Sequence, residues 1–85
     1  MTLRLEGAMT IYEAAALKDR LLGALQAAGG IELDLSQVAE IDTAGVQLLV
    51  LLKREALAAG KSFSVVAHGQ ASQDAIELLN LGGCL

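Results

Sequence analysis

Ile31-Glu32-Leu33-Asp34-Leu35-Ser36-Gln37-Val38-Ala39-Glu40-Ile41-Asp42-Thr43-Ala44-Gly45-Val46-Gln47-Leu48-Leu49 changes its periodicity partway along, and that change decides the fold class. From Ile31 to Leu35 apolar and charged residues alternate, as in a strand whose two faces meet different surroundings. From Ala44 to Ala59 the apolar residues recur at helical spacing, and Gly60 supplies a stop. Ser36 to Ile41 reads as a connection or as a continuation of the strand. Thr43 predicts the N-cap of the helix, its hydroxyl offered to amides that lack a partner in the first turn.

The same alternation of elements extends outward on both sides. Leu3-Arg4-Leu5-Glu6 is strand-like and Gly7 ends it; Met9 to Ile11 allows a second short strand. Thr10 and Glu13 have the spacing of a capping box. The helix after it carries Ala14, Leu17, Leu21, Leu25 and Ala28 on one stripe, with Gly29-Gly30 predicted to end it in the left-handed conformation. Towards the C-terminus, Phe63 to Ala67 is rich in strand formers and His68-Gly69 reads as a turn. Ser72 predicts the cap of a third helix running to Asn80, stopped by Gly82-Gly83. The order β(β)αβαβα places the chain in the α/β class, with a parallel or mixed sheet under helical cover. Eighty-five residues without proline, repeat or linker make one domain, 1–85.

Composition removes several function classes. Aromatic residues are 2% of the chain and the net charge is −4, so neither base stacking nor phosphate attraction is provided for. Nucleic acid is therefore not an expected partner. The single cysteine, Cys84, cannot form an internal disulfide. The N-terminal residues carry charges where a signal peptide is apolar. The most apolar run, Val46 to Leu52, is interrupted by Gln47 and falls well short of the roughly 20 residues of a membrane span. The expectation is a cytoplasmic, soluble protein, not embedded in a membrane.

Catalytic machinery is not legible either. His68 is the sole histidine, so no triad or metal site forms around it. Glu40 and Asp42 are two residues apart and give no metal-ligand spacing, and no phosphate-binding glycine pattern occurs. Neither metal nor cofactor is expected, and the protein is read as not an enzyme. Asp34 alternates with Leu33 and Leu35 and is read as a solvated strand carboxylate, with assistance to Thr43 as the other reading.

Asp42-Thr43-Ala44-Gly45, set between a Leu- and Asp-bearing strand and an apolar helix, resembles the central block of the STAS family. The Gly60-Lys61 break, the Phe63 to Ala67 strand and the Leu78-Leu79-Asn80-Leu81-Gly82 ending are similar to that family too, so the likeness spans nearly the whole chain. It implies a STAS-like sheet of about four strands, mixed or parallel, covered mainly on one side by about three helices. In the anti-sigma factor antagonists of this family the hydroxyl residue directly after the Asp is phosphorylated. That position here is Thr43. The resemblance implies a protein partner, an anti-sigma factor or serine kinase, bound when Thr43 is free and released on phosphorylation. It also admits an unphosphorylated accessory subunit of a lipid-transporting ABC system, or of a chemotaxis-type signalling cluster.

The expected partner surface comprises Asp42, Thr43, Ala44, Gly45, Val46, Gln47 and Val50. Gly45 has two readings, close approach by a partner or tight packing against a strand. Val46, Val50 and Leu57 form a second apolar stripe beside the core stripe of Gly45, Leu49, Leu52 and Ala56. Either a partner docks on it or the first or third helix covers it. An edge strand left open near the C-terminus gives the expectation of a monomer or weak dimer.

Overall fold

The structure is a computed structural model, and it describes residues 1–78. Six elements follow one another: β1 (Thr2–Met9), α1 (Ile11–Ala27), β2 (Gly30–Ile41), α2 (Thr43–Ala58), β3 (Ser62–His68) and α3 (Gln70–Leu78). The strands form a parallel sheet in the order β1-β2-β3. Each helix between strands links neighbours, and crossovers of one hand place α1 and α2 on the same face. The core lies between that face and the two helices. Leu5 and Met9 of β1, Ile31, Leu33, Leu35 and Val38 of β2, and Phe63 of β3 meet Leu21 and Leu25 of α1 and Leu48, Leu49, Leu52 and Ala56 of α2. The other face is polar, with Thr2, Arg4, Glu6 and Glu32 exposed and Asp34 and Ser64 half-buried. This one-sided α/β architecture agrees with the expected fold.

Particular elements depart from the sequence reading. The two short N-terminal strands are one strand: Gly7, at φ +76, sits within β1 where the register against β2 slips, so it bends the strand and does not end it. The sheet accordingly has three strands among the described residues. Ser36 to Ile41 continues β2, and its outer neighbour changes along its length. β3 pairs with β2 only as far as Leu35, and α3 packs chiefly on β2.

The helix ends also differ from expectation. Thr10 does make the capping box with Glu13. The far end of α1 closes on an extended Ala28, not on a left-handed glycine. Lys61 Nζ donates to the carbonyls of Leu25 and Gln26 there, at 2.7 and 2.9 Å. Gly60 is the left-handed terminator, at φ +69, and ends α2. The Lys61 amide reaches the Ala56 carbonyl and the Gly60 amide the Leu57 carbonyl, which is the Schellman pattern. Helix α3 begins at Gln70, two residues before Ser72. Ser72 is fully buried inside it, where its hydroxyl accepts from the Gly69 amide at 3.2 Å. His68 closes β3, with Nδ1 3.2 Å from Ser72 Oγ. The predicted end of α3 at Gly82-Gly83, and Cys84, lie outside the described residues.

Candidate functional site

The β2–α2 junction is organised by Asp42. Its backbone is extended, it stands one residue before α2, and its Oδ1 accepts from the Gly45 amide at 3.1 Å. Asp42 is thus the N-cap, and the expectation that Thr43 caps the helix is corrected. Both residue types cap well; the choice falls to Asp42 because its second oxygen has work elsewhere. Oδ2 accepts from the Ile11 amide at 3.0 Å, the first residue of α1. One carboxylate therefore ties together the starts of two helices, each presenting the positive end of its dipole. The Ile11 amide above all holds the Asp42 carboxyl below the usual carboxylate range against the opposing effect of burial, and the Gly45 amide adds a lesser pull in the same direction. Glu13, bonded to the Thr10 hydroxyl and amide, is lowered as well.

With the cap supplied by its neighbour, Thr43 is the first residue of α2 and is exposed. Gln47 is exposed and Val50 half-buried on the same outward stripe, continued by exposed Arg54. Ala44 is half-buried at the rim of a groove between α1 and α2.

Two residues of the expected surface belong to the interior. Gly45 is buried, and a Cβ there would overlap the Met9 carbonyl oxygen and come within 2.7 Å of Ile41 Cγ1. Tight packing of α2 against the strand ends is the reason for this glycine. Val46 is 0% exposed, so it cannot meet a partner. The second apolar stripe of α2 is covered at its start, at Val46, and open at its end, where Leu57 is 68% exposed.

Two depressions flank Thr43. One, of about 370 Å³, lies between α1 and α2, with Ile11, Ala14 and Ala15 facing Ala44, Gln47 and Leu51. The other, of about 450 Å³, runs from Ala39–Thr43 at the end of β2 to Ala71, Asp74 and Ala75 of α3. Its acidic groups are Glu40, Asp42 and Asp74. Ile11, which lines the depression between α1 and α2, and its neighbour Tyr12 are 68% and 91% exposed. Sequence reasoning missed both, although two large apolar residues off the core stripe in the first turn of α1 were a signal. Asp34 is engaged with Ser36, accepting from its amide at 2.9 Å and its hydroxyl at 2.6 Å, and lies 3.6 Å from Arg4. It belongs to the polar sheet face and does not assist Thr43. Among the described residues, no group of His, Cys, Asp and Glu could hold a metal ion, and no helix is long and apolar enough to cross a membrane.

No curated protein matches the chain. Among solved structures it is similar to an anti-sigma factor antagonist from Mycobacterium paratuberculosis, with TM-score 0.82 and 25% identity over 96% of this chain and 70% of that one. It is similar also to the anti-sigma factor antagonist SpoIIAA in its unphosphorylated form, with TM-score 0.79 and 18% identity over 96% of this chain and 73% of that one. The family model described as Mlab, STAS domain, matches residues 1–85. With the fold, the strand-to-helix junction and the whole-chain match in agreement, the protein belongs to the STAS domain family.

Proposed function

We propose that this protein is a cytoplasmic signalling domain of the anti-sigma factor antagonist type, which binds a protein partner through the rim around Thr43 and is switched by phosphorylation of that residue. The observation that carries the reading is the division of labour at the β2–α2 junction. Asp42 caps the helix, and Thr43, an exposed residue, is left without a capping role. A partner kinase can transfer the terminal phosphoryl group of ATP to that oxygen, with ADP leaving and the hydroxyl proton passing to the kinase's base. The new group would place close to two negative charges at the head of α2. The contact surface consists of Asp42, Thr43, Ala44, Gln47 and Val50, joined by Ile11 and Tyr12. The role is non-enzymatic, as in the family generally.

The test compares wild type, Thr43→Ala and Thr43→Glu for binding to a purified switch kinase, with intact mass measured after incubation with ATP. Wild type gains one phosphate and loses binding, Thr43→Ala gains none and stays bound, and Thr43→Glu binds at least about tenfold more weakly, a loss of roughly 1.4 kcal/mol. Phosphate on a residue other than Thr43, or undiminished binding by Thr43→Glu, removes the reading.

A second reading rests on the acidic surroundings. Glu40, Asp42 and Asp74 share a cleft with Thr43, and like charges oppose a phosphate there. This favours a stable, unphosphorylated accessory subunit, of a lipid-transporting ABC system or of a chemotaxis-type cluster. Co-purification with an ATPase subunit, with Thr43 unmodified throughout, distinguishes it.

A further inference from the structure

The outer edge of β1 offers an interaction surface that the Thr43 rim does not involve. β1 is the terminal strand of the sheet, and among the described residues no strand pairs with its far side. The Glu32 amide donates to the Met1 carbonyl, so the polar groups of Met1 face β2. In a parallel ladder the residues that face the neighbour alternate with those that face away. Thr2, Arg4 and Glu6 therefore turn their amides and carbonyls to the free edge. Their side chains are exposed on the polar sheet face, while Leu5 between them is buried in the core.

We infer that this edge takes a second copy of the same chain, in antiparallel register about Leu5, to make one continuous six-stranded sheet. A two-fold axis normal to the sheet keeps both helical layers on one side and pairs only residues of like parity. About Leu5, Arg4 of each copy stands directly opposite Glu6 of the other, and both belong to the set with free backbone groups. Each pair thus exchanges two backbone hydrogen bonds and sets unlike charges face to face. A register centred on Arg4 would put arginine against arginine. One centred on Leu3 would leave the charges unopposed.

The free protein is suited to this arrangement. Arg4 lies 3.6 Å from Asp34, on its own sheet, with its side chain 60% exposed. In the dimer it sits between Asp34 and the second copy's Glu6. The short length of β1 before the Gly7 bend makes the association weak and dependent on concentration.

The test is a charge exchange followed by sedimentation equilibrium from about 10 µM to about 1 mM, at low and high salt, with circular dichroism on each variant. Wild type should show a reversible monomer–dimer equilibrium. Arg4→Glu and Glu6→Arg, both at exposed positions, should each weaken it about tenfold or more by opposing like charges. The double variant should recover most of the loss. Arg4→Pro, which removes an outward donor while leaving the β1–β2 ladder its own bonds, should abolish dimers. A strictly monomeric wild type overturns the proposal. A dimer indifferent to both single reversals overturns it too, since it would then form through another surface.

Discussion

Asp42 and Thr43 are adjacent residues that are both good caps, and which of them caps α2 cannot be read from their order. The choice depends on the Ile11 amide, 31 residues away in the chain, which only the fold brings to the second carboxylate oxygen. This has a consequence in acid. A carboxyl whose folded-state pKa lies below its unfolded value stabilises the fold fully above the unfolded value, about 4. That contribution fades as pH falls through the folded value. Asp42→Asn should therefore be less stable than wild type at neutral pH, with the difference shrinking steadily below about pH 4. Urea unfolding followed by circular dichroism at several pH values measures it; a difference independent of pH would show that the ionised carboxylate is not what matters. Gly45 gives a second prediction at this scale. Alanine is favoured over glycine in a helix by about 1 kcal/mol. Here Gly45→Ala should nevertheless lower stability, because its Cβ meets backbone of β1 and not the end of a flexible side chain. A thermal midpoint at or above that of wild type would contradict the packing argument.

Helix α2 illustrates how far an element is legible from periodicity. Gly45, Leu49, Leu52 and Ala56 lie on the core face as the 100° spacing predicts. Periodicity does not say how wide an arc is covered, because that depends on what lies beside the helix at each turn. Near the start of α2 the arc is wide enough to bury Val46; near its end Leu57, on the same stripe, is open. The two valines thus separate folding from binding. Val46→Asp places an unpaired charge in the interior and should unfold the domain or cost about 3 kcal/mol or more. Val50→Asp, at a half-buried position on the outward stripe, should keep the fold while weakening the partner contact about tenfold. Chemical denaturation and partner titration of both variants check this; equal stability of the two would mean Val46 is not interior in solution.

At the scale of the molecule, the parallel order of the strands brings their C-terminal ends to one rim, and that rim collects the candidate site. Met9, Ile41 and His68 end the three strands, and the starts of α1, α2 and α3 follow directly after them. Ligand-binding crevices of open α/β sheets lie at this side for the same geometric reason. The α/β class and the Asp42-Thr43 junction were legible because each is written in a local pattern. Ile11, Tyr12 and Asp74 were not, since nothing local records that segments some 30 residues either side of Thr43 arrive beside it. Their arrival can be tested without touching α2. Ile11→Asp and Tyr12→Ala alter large side chains that are mostly in solvent, so stability should move by no more than about 0.5 kcal/mol. Partner affinity should nonetheless fall several-fold, because exposed apolar groups at a shared rim contribute mainly when a partner excludes water from them. Arg4→Glu and Glu6→Arg, on the β1 edge, provide the comparison, since they should leave partner affinity unchanged. Titration of all four variants against the partner decides it: unchanged affinity for both α1 variants would confine the contact to α2, and the rim would be a feature of the fold alone.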